Sequence, residues 1–428
     1  MKRSLDFVVV FSLLAACSQA SPATDPAPAQ GSVARAPETR SDMPEPQDDD
    51  TPAEAFGDGA RAFAKVKESL LQNYYAEGLT EDDVYRAATA GMLERLDPKM
   101  KKWNKLLAPR EIAELRNDLK GEVVGIGVSI KLDPHTGYAE VLAALPGSPA
   151  EKAGLVSGDM IVTVNGKLYK GMRLRDVVAD IRGKAGEPVK VSVLRGAEMK
   201  TFDVVRGRVA YDRPSSLVFA DHTGYLRIPG FNEQTPGAAR AELESLEKQG
   251  ATALVLDLRA NPGGSFDAAV ASAELFLPER APIVTLKRRG KPEEKNLARG
   301  GAILANVPLA VLVDGATASG AEFVTAALAE DRHARVVGEP TKGKWSVQTI
   351  DELSNGWAFK YTVSLFKTPS GKSYEGTGLA PDVEVAMDER VLARANAAAT
   401  PEERLDLDMQ LRTAKGLLVG SARATPAR

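Results

Sequence analysis

Residues 311–348 read VLVDGATASGAEFVTAALAEDRHARVVGEPTKGKWSVQ. The apolar run that leads in, residues 309–313, has the length and β-branched content of a buried strand. Asp314-Gly315 stops it. From Ser319 the period changes: Phe323, Ala327 and Leu328 recur at helical spacing, and a helix is expected to residue 330. A second short strand, 335–337, leads to Gly338, Lys344 and Gln348. This alternation makes the fold class α/β. Ser319 stands where strand turns into helix, among Ala316, Ala318, Gly320 and Ala321. Small neighbours leave room for a substrate backbone, and a helix N-terminus offers free N–H groups to an oxyanion. A serine so placed, followed by a lysine, suggests a Ser–Lys pair in which the lysine takes the hydroxyl proton. Taken alone, the serine reads more simply as a helix N-cap and the lysine as a surface charge.

Upstream, residues 223–228 read as a strand and 236–248 as a helix. Residues 253–258 form a buried-strand run that breaks at Arg259-Ala260-Asn261-Pro262-Gly263-Gly264, with a helix following to residue 276. Glycine at such a break lets backbone approach a ligand closely. Ser319-Gly320-Ala321-Glu322, the run Gly338-Glu339-Pro340-Thr341-Lys342-Gly343-Lys344-Trp345-Ser346-Val347-Gln348, and this D-L-R-x-N-P-G-G segment together resemble the carboxyl-terminal processing, or tail-specific, proteases. The resemblance implies a nucleophile at Ser319, a general base at Lys344, a lysine-positioning glutamine at Gln348, and an oxyanion hole from an N–H of Gly263 or Gly264 with that of Gly320. It also implies a crotonase-like core and no metal or cofactor. Two residues depart from the family pattern: Lys342 stands in place of an aromatic residue, and Trp345 in place of glycine. A lysine accepts a proton only when neutral, and an unperturbed one has a pKa near ~10.4. Desolvation by Trp345 and like charge from Lys342 are the expected means of lowering it.

Residues 121–208 form a unit of short strands with one helix, 174–181. Ser148-Pro149-Ala150 through Ala153-Gly154-Leu155, followed by Gly158-Asp159-Met160-Ile161 and Val164-Asn165-Gly166, resembles a PDZ domain. That implies capture of a substrate's C-terminal carboxylate in a nest at Gly125-Ile126-Gly127-Val128. Residues 55–120 read as helices, with stripes Phe56, Phe63, Val66, Leu70, then Val84, Ala88, Met92, Leu96, then Ile112, Leu115, Leu119. They are read as a packing region that in some relatives supports a homo-oligomer. Lys2 and Arg3 precede a short apolar stretch, and Leu14-Ala15-Ala16-Cys17 resembles a bacterial lipobox. Residues 1–17 are therefore expected to be a lipoprotein signal, with Cys17 acylated and the protein held in the periplasm, on the outer membrane, by a lipid anchor. Residues 18–54, rich in Pro, Ala and Asp, read as a disordered tether.

The chain has 428 residues, 43% of them hydrophobic, which suffices for two or three domains. A net charge of −3 gives no basis for nucleic-acid binding. A single cysteine and three histidines exclude an intrachain disulfide and argue against a zinc site. His135, His222 and His333 fall in turns or a charged loop, so a Ser–His–Asp triad is the poorer mechanism. Gly371-Lys372-Ser373 lacks the upstream glycine of a phosphate loop. Residues 209–388 are read as the protease core. Thr400-Pro401-Glu402-Glu403 starts a helix expected to reach residue 418 with a frayed end, in a C-terminal tail 389–428. The expected function is periplasmic proteolysis near C-termini of protein substrates with exposed tails, with or without an adaptor lipoprotein. A non-catalytic tail-binding scaffold on the same fold is the alternative, supported by Lys342 and Trp345.

Overall fold

The computed structural model describes residues 8–9, 57–95, 97, 100, 102–121, 124–145, 147–209, 213–396, 398 and 400–422. The lipobox with Cys17, and the tether, lie outside the described residues. The chain divides after Met92, and the two units are described separately.

The smaller unit holds the helix Gly59–Asn73 and most of the helix Glu81–Arg95. Asp58 caps the first by accepting from Arg61 N, and Thr80 and Asp83 cap the second reciprocally. The expected apolar stripe is not sealed: Phe63, Val66 and Leu70 are 39%, 55% and 36% exposed. Two helices alone offer too little facing surface to bury such a stripe.

The larger unit is built on a parallel sheet. Its order is Ser215–Val218, Thr223–Arg227, Ala253–Asp257, Leu309–Val313, Arg335–Gly338 and Val383–Glu384, parallel from the second strand on. Successive side chains point to opposite faces, and a parallel sheet needs both faces covered. Leu254, Leu256, Val311 and Val313 therefore join one core, with Leu243, Phe266 and Phe323 from the helices Thr235–Lys248, Phe266–Ala273 and Gly320–Asp331. Val255, Ala310, Leu312 and Val337 join the other, with Leu411, Ala414 and Leu418. Each buried leucine contributes roughly 1.5–3 kcal/mol to that packing. The last helix is thus docked on the sheet through Leu411, Ala414 and Leu418. The tail is not one helix: Pro401–Leu407 and Met409–Ala422 are separated by Asp408, which is extended (φ −100°, ψ 92°).

A second sheet runs Val8–Val9, Ser346–Glu352, Ala358–Lys367, Pro282–Arg288 and Glu294–Leu297. Lys105–Leu107 also joins it, pairing antiparallel with Ala358, Phe359 and Lys360. Residues from Leu93 onward, the last turn of the helix Glu81–Arg95 included, belong to the larger unit. A third sheet, Val128–Leu132, Ala139–Ala144, Met160–Val164, Pro188–Arg195 and Glu198–Val205, closes its own core around Ile126, Val141, Ile161, Val177 and Val191. Its helix Leu174–Ile181 has the expected bounds. Among the described residues, no helix is long and apolar enough to cross a membrane.

Candidate active site

The strand Leu309–Val313 ends at Asp314, whose carboxylate accepts from Ala316 N, Thr317 N and Thr317 Oγ1 at 2.9–3.1 Å, folding the chain back on itself. The same carboxylate takes Ala260 N at 2.9 and 3.0 Å, tying the segment that follows Arg259 to the serine turn. Burial pushes this carboxyl up, against those donors. The turn delivers Ser319 at φ 59°, ψ −113°, directly before the helix Gly320–Asp331. A positive φ in a non-glycine residue costs of order 1–3 kcal/mol and persists only where its surroundings enforce it.

The enforcing group is Glu322. Its Oε2 accepts from Ser319 N at 2.7 Å and Lys344 N at 2.8 Å. Its Oε1 accepts from Thr341 Oγ1 at 2.6 Å, Gly343 N at 2.7 Å and Trp345 Nε1 at 3.3 Å. One buried carboxylate therefore joins the serine turn to the lysine loop. Burial pushes the Glu322 carboxyl up, and its donors pull it back. The signal for this residue was in the sequence, since an acid three residues after a helix-start serine has capping spacing.

Across the turn lies the Asn261–Gly264 loop. Asn261 donates to Ile228 O at 2.8 Å, its Oδ1 accepts Gly263 N at 2.8 Å, and its backbone O accepts Ala318 N at 2.9 Å. A Cβ on Gly263 (φ +94°) would lie 2.9 Å from Ser319 Cβ and 3.0 Å from Gly320 N, so only glycine fits there. Gly263 N is committed to Asn261. Among the described residues, Gly264 N and Gly320 N have no hydrogen-bond partner.

Lys344 is fully buried. Burial holds its ammonium well below the usual lysine range, and the positive charge of Lys360 pushes the same way. Glu322 and Glu375 oppose, and Lys102 adds to the lowering. Lys360 is itself brought to about 8 by burial and by Lys105, against Glu111. The neighbours expected from sequence are not the ones that act. Lys342 is exposed. Trp345 turns into the core against Phe366 and Tyr374, with ring centroids 5.0 and 5.2 Å away. The ring over Lys344 Nζ is that of Trp103, 4.7 Å from its centroid.

Gln348 is fully buried on the strand Ser346–Glu352, and its Nε2 donates to Ser346 Oγ at 3.1 Å and Thr362 Oγ1 at 3.4 Å. Its Oε1, and Ser319 Oγ, have no hydrogen-bond partner among the described residues, so the serine hydroxyl and the lysine amine are not bonded to each other. All three histidines are exposed, whereas Ser319 is fully buried.

The loop that hangs from Arg259 is anchored from far along the chain. Arg259 bonds Asp257 through Nε at 2.9 Å and Nη2 at 2.5 Å. It also bonds Asp408 at 2.9 and 2.6 Å and Gln410 at 2.9 Å. Asp408 simultaneously accepts Leu411 N at 2.9 Å, capping the last helix. This double demand on one carboxylate is why the expected long helix breaks there.

Just ahead of the third sheet, Gly125 pairs with Gly207 in a separate two-stranded ribbon, Ile126 O accepts Ala150 N at 2.8 Å, and Gly127 (φ +79°) accepts Leu145 N at 2.9 Å before Val128 opens the edge strand. Arg182 lies beside this turn, 4.0 Å from a Cβ built on Gly125, and pairs with Asp118 at 3.3 Å.

A strained serine at a helix start, a buried lysine and a glycine loop are the features a serine-type peptidase site needs, and a small five-stranded sheet with its own core accompanies them. The pattern of peptidase family S41 matches residues 222–385, and that of a PDZ domain matches residues 140–195. The chain is 34% identical over 315 residues to a carboxyl-terminal-processing protease of Picosynechococcus sp., covering 72% of this chain and 74% of that one. It is 32% identical over 351 residues to the carboxyl-terminal-processing protease of Synechocystis sp., covering 79% and 80%. The solved structure of a photosystem II D1 C-terminal processing protease is similar at 31% identity and a TM-score of 0.52, over 78% of this chain and 91% of that one. A putative S41 protease from Bacteroides fragilis, 20% identical with a TM-score of 0.54 over 76% and 88%, shares the fold. The chain belongs to peptidase family S41, the serine-type carboxyl-terminal processing peptidases, and carries their PDZ domain. The non-catalytic scaffold alternative falls away.

Proposed function

We propose that Ser319 is the nucleophile and Lys344 its general base. The observation that carries this is the Glu322 clamp, which holds the backbone of both residues on one carboxylate oxygen while burial pushes the Lys344 ammonium well below the usual lysine range. Lys344 takes the hydroxyl proton as Ser319 Oγ attacks the scissile carbonyl, and returns it to the leaving amine. Water then hydrolyses the acyl-enzyme by the same route. Gly264 and Gly320 N–H receive the oxyanion, because Gly263 N is already engaged by Asn261. Gln348 Oε1, with no partner among the described residues, is available to hold Nζ once the pair closes.

The core is read as crotonase-like, within a protease part at 209–388, a PDZ part at 121–208, an N-terminal helical region at 55–120 and a helical tail at 389–428. The turn Gly125–Val128, with Arg182 beside it, captures the substrate's terminal carboxylate. Substrates are proteins with exposed C-termini. A lipid on Cys17 holds the enzyme to the periplasmic face of the outer membrane, where an adaptor lipoprotein and self-association are further expected partners. The test uses full-length enzyme on a protein with a free C-terminal tail and on the same protein amidated at its terminus. Cleavage of the free tail, weakened by amidation and abolished in Ser319→Ala and in Lys344→Ala, is the expected result. Wild-type cleavage by Lys344→Ala would remove the base assignment, and equal cleavage of both tails would remove carboxylate capture.

A further inference from the structure

We propose that Trp103, on the strap 102–107 outside the segment matched by the family pattern, is a positioning residue of the protease: its indole seals the side chain of Lys344 from water. The inference rests on the reading of Lys344 as the base. Trp103 is only 8% exposed, and its ring centroid stands 4.7 Å from Lys344 Nζ. Its Nε1 is buried without a hydrogen-bond partner among the described residues. An orphaned indole N–H is unfavourable, so packing of the polar end is not what holds this residue here. The strap is fixed independently of the ring. Lys105–Leu107 pairs with Ala358, Phe359 and Lys360, and Asn104 Oδ1 accepts Thr362 N at 3.0 Å and Thr362 Oγ1 at 3.3 Å. Thr362 Oγ1 in turn accepts Gln348 Nε2 at 3.4 Å, so the strap is joined to the glutamine of the site as well.

Among the described residues, the charged groups that bear most on Lys344 are Lys360 from the strand Ala358–Lys367, Glu322 from the helix Gly320–Asp331, Glu375 from the loop that follows Thr368, and Lys102 from the strap. Removing the Trp103 ring leaves Lys360, Glu322 and Glu375 in place and releases Lys102, whose Nζ stands 4.8 Å from the same ring's centroid. It takes away the ring's attraction for a cation and admits water to Lys344 Nζ. These act in opposite senses. Full burial can move a lysine by up to roughly 3–5 pH units, whereas a desolvated ring–cation contact is worth about one and a half. Water therefore wins, and Lys344 becomes easier to protonate when the ring is lost. A tryptophan that merely fills the core makes no such demand on the pH profile.

The experiment measures kcat/KM against pH on one peptide for full-length wild type, Trp103→Ala, Trp103→Phe and Lys344→Ala. Trp103→Ala is expected to move the acid limb upward by about one unit, a tenfold loss near neutrality that is recovered at alkaline pH. Trp103→Phe, which keeps a ring, should stay close to wild type. An unmoved limb in folded Trp103→Ala, with Lys344→Ala inactive, overturns the seal while leaving the base assignment standing. An active Lys344→Ala instead overturns the assignment on which the seal depends. Should Trp103→Ala not fold, acetylation of the wild type by acetic anhydride, read by mass spectrometry, decides the matter: Lys344 should react at least tenfold more slowly than exposed Lys342. Equal rates would overturn the proposal.

Discussion

Replacing Glu322 by glutamine separates clamp from bulk, because the two side chains have nearly the same shape. The carboxylate is acceptor-only and faces five donors, two on Oε2 and three on Oε1. An amide must turn its NH2 toward one set. The smaller loss places it against Ser319 N and Lys344 N, turning two charge-assisted bonds into donor–donor contacts. Such bonds are worth about 1.5–3 kcal/mol each, so the gross loss is roughly 3–6 kcal/mol. Relief of a desolvated charge offsets part of it, leaving about 2–4 kcal/mol. The two freed N–H groups belong to the two residues whose side chains must meet, and a 1 Å misplacement costs about 10²-fold in rate. Urea unfolding and kcat/KM should therefore fall together, with the kinetic loss in kcat and KM nearly unchanged. A Glu322→Gln enzyme within twofold of wild-type kcat, at unchanged urea midpoint, would refute the clamp.

Asp408→Ala leaves Arg259 charged and buried with only one of its two carboxylate partners, and should cost about 3–5 kcal/mol in urea unfolding and lower kcat through the glycine loop; normal stability would show that the tail does not brace that loop. Burial alone would raise Asp257, but Arg259 brings it down to about 2, so its stabilisation is full above the unfolded carboxyl pKa and is lost as pH falls through about 2. Unfolding free energy should decline from pH 4 to pH 2, with a flatter slope in Asp257→Asn; parallel slopes would count against the pairing. Lys360→Met removes the like charge that helps to keep Lys344 neutral, and should shift the acid limb of kcat/KM to higher pH, whereas Lys342→Ala, at an exposed position, should leave it in place. A shift with Lys342→Ala and none with Lys360→Met would return the electrostatic role to the sequence neighbour.

The parts of the site that lie within one strand–turn–helix unit were legible in the chain. The β-branched run before Asp314 and the apolar run before Asn261-Pro262-Gly263-Gly264 stop where glycine, proline and aspartate say they must. What joins those units was not legible. Nothing local marks Trp103 as the ring over Lys344, because strand pairing of Lys105–Leu107 with Ala358–Lys360 brings them together. Lys342 and Trp345 looked like the modulators of Lys344 by proximity in sequence, yet one faces solvent and the other fills the aromatic core. The run Leu405-Asp406-Leu407-Asp408-Met409 carries no stop signal, and its break answers a guanidinium just past the end of the strand Ala253–Asp257, 149 residues earlier in the chain.

The most direct test of the Ser319–Lys344 assignment is covalent trapping. Wild type, Ser319→Ala and Lys344→Ala are treated with a peptidyl phosphonate at pH 8, and the adducts are mapped by tandem mass spectrometry. One adduct per chain is expected on Ser319 in the wild type, with none in Ser319→Ala and labelling slowed at least 10²-fold in Lys344→Ala, as befits loss of a general base. An adduct on any other residue, or wild-type labelling in Lys344→Ala, would contradict it.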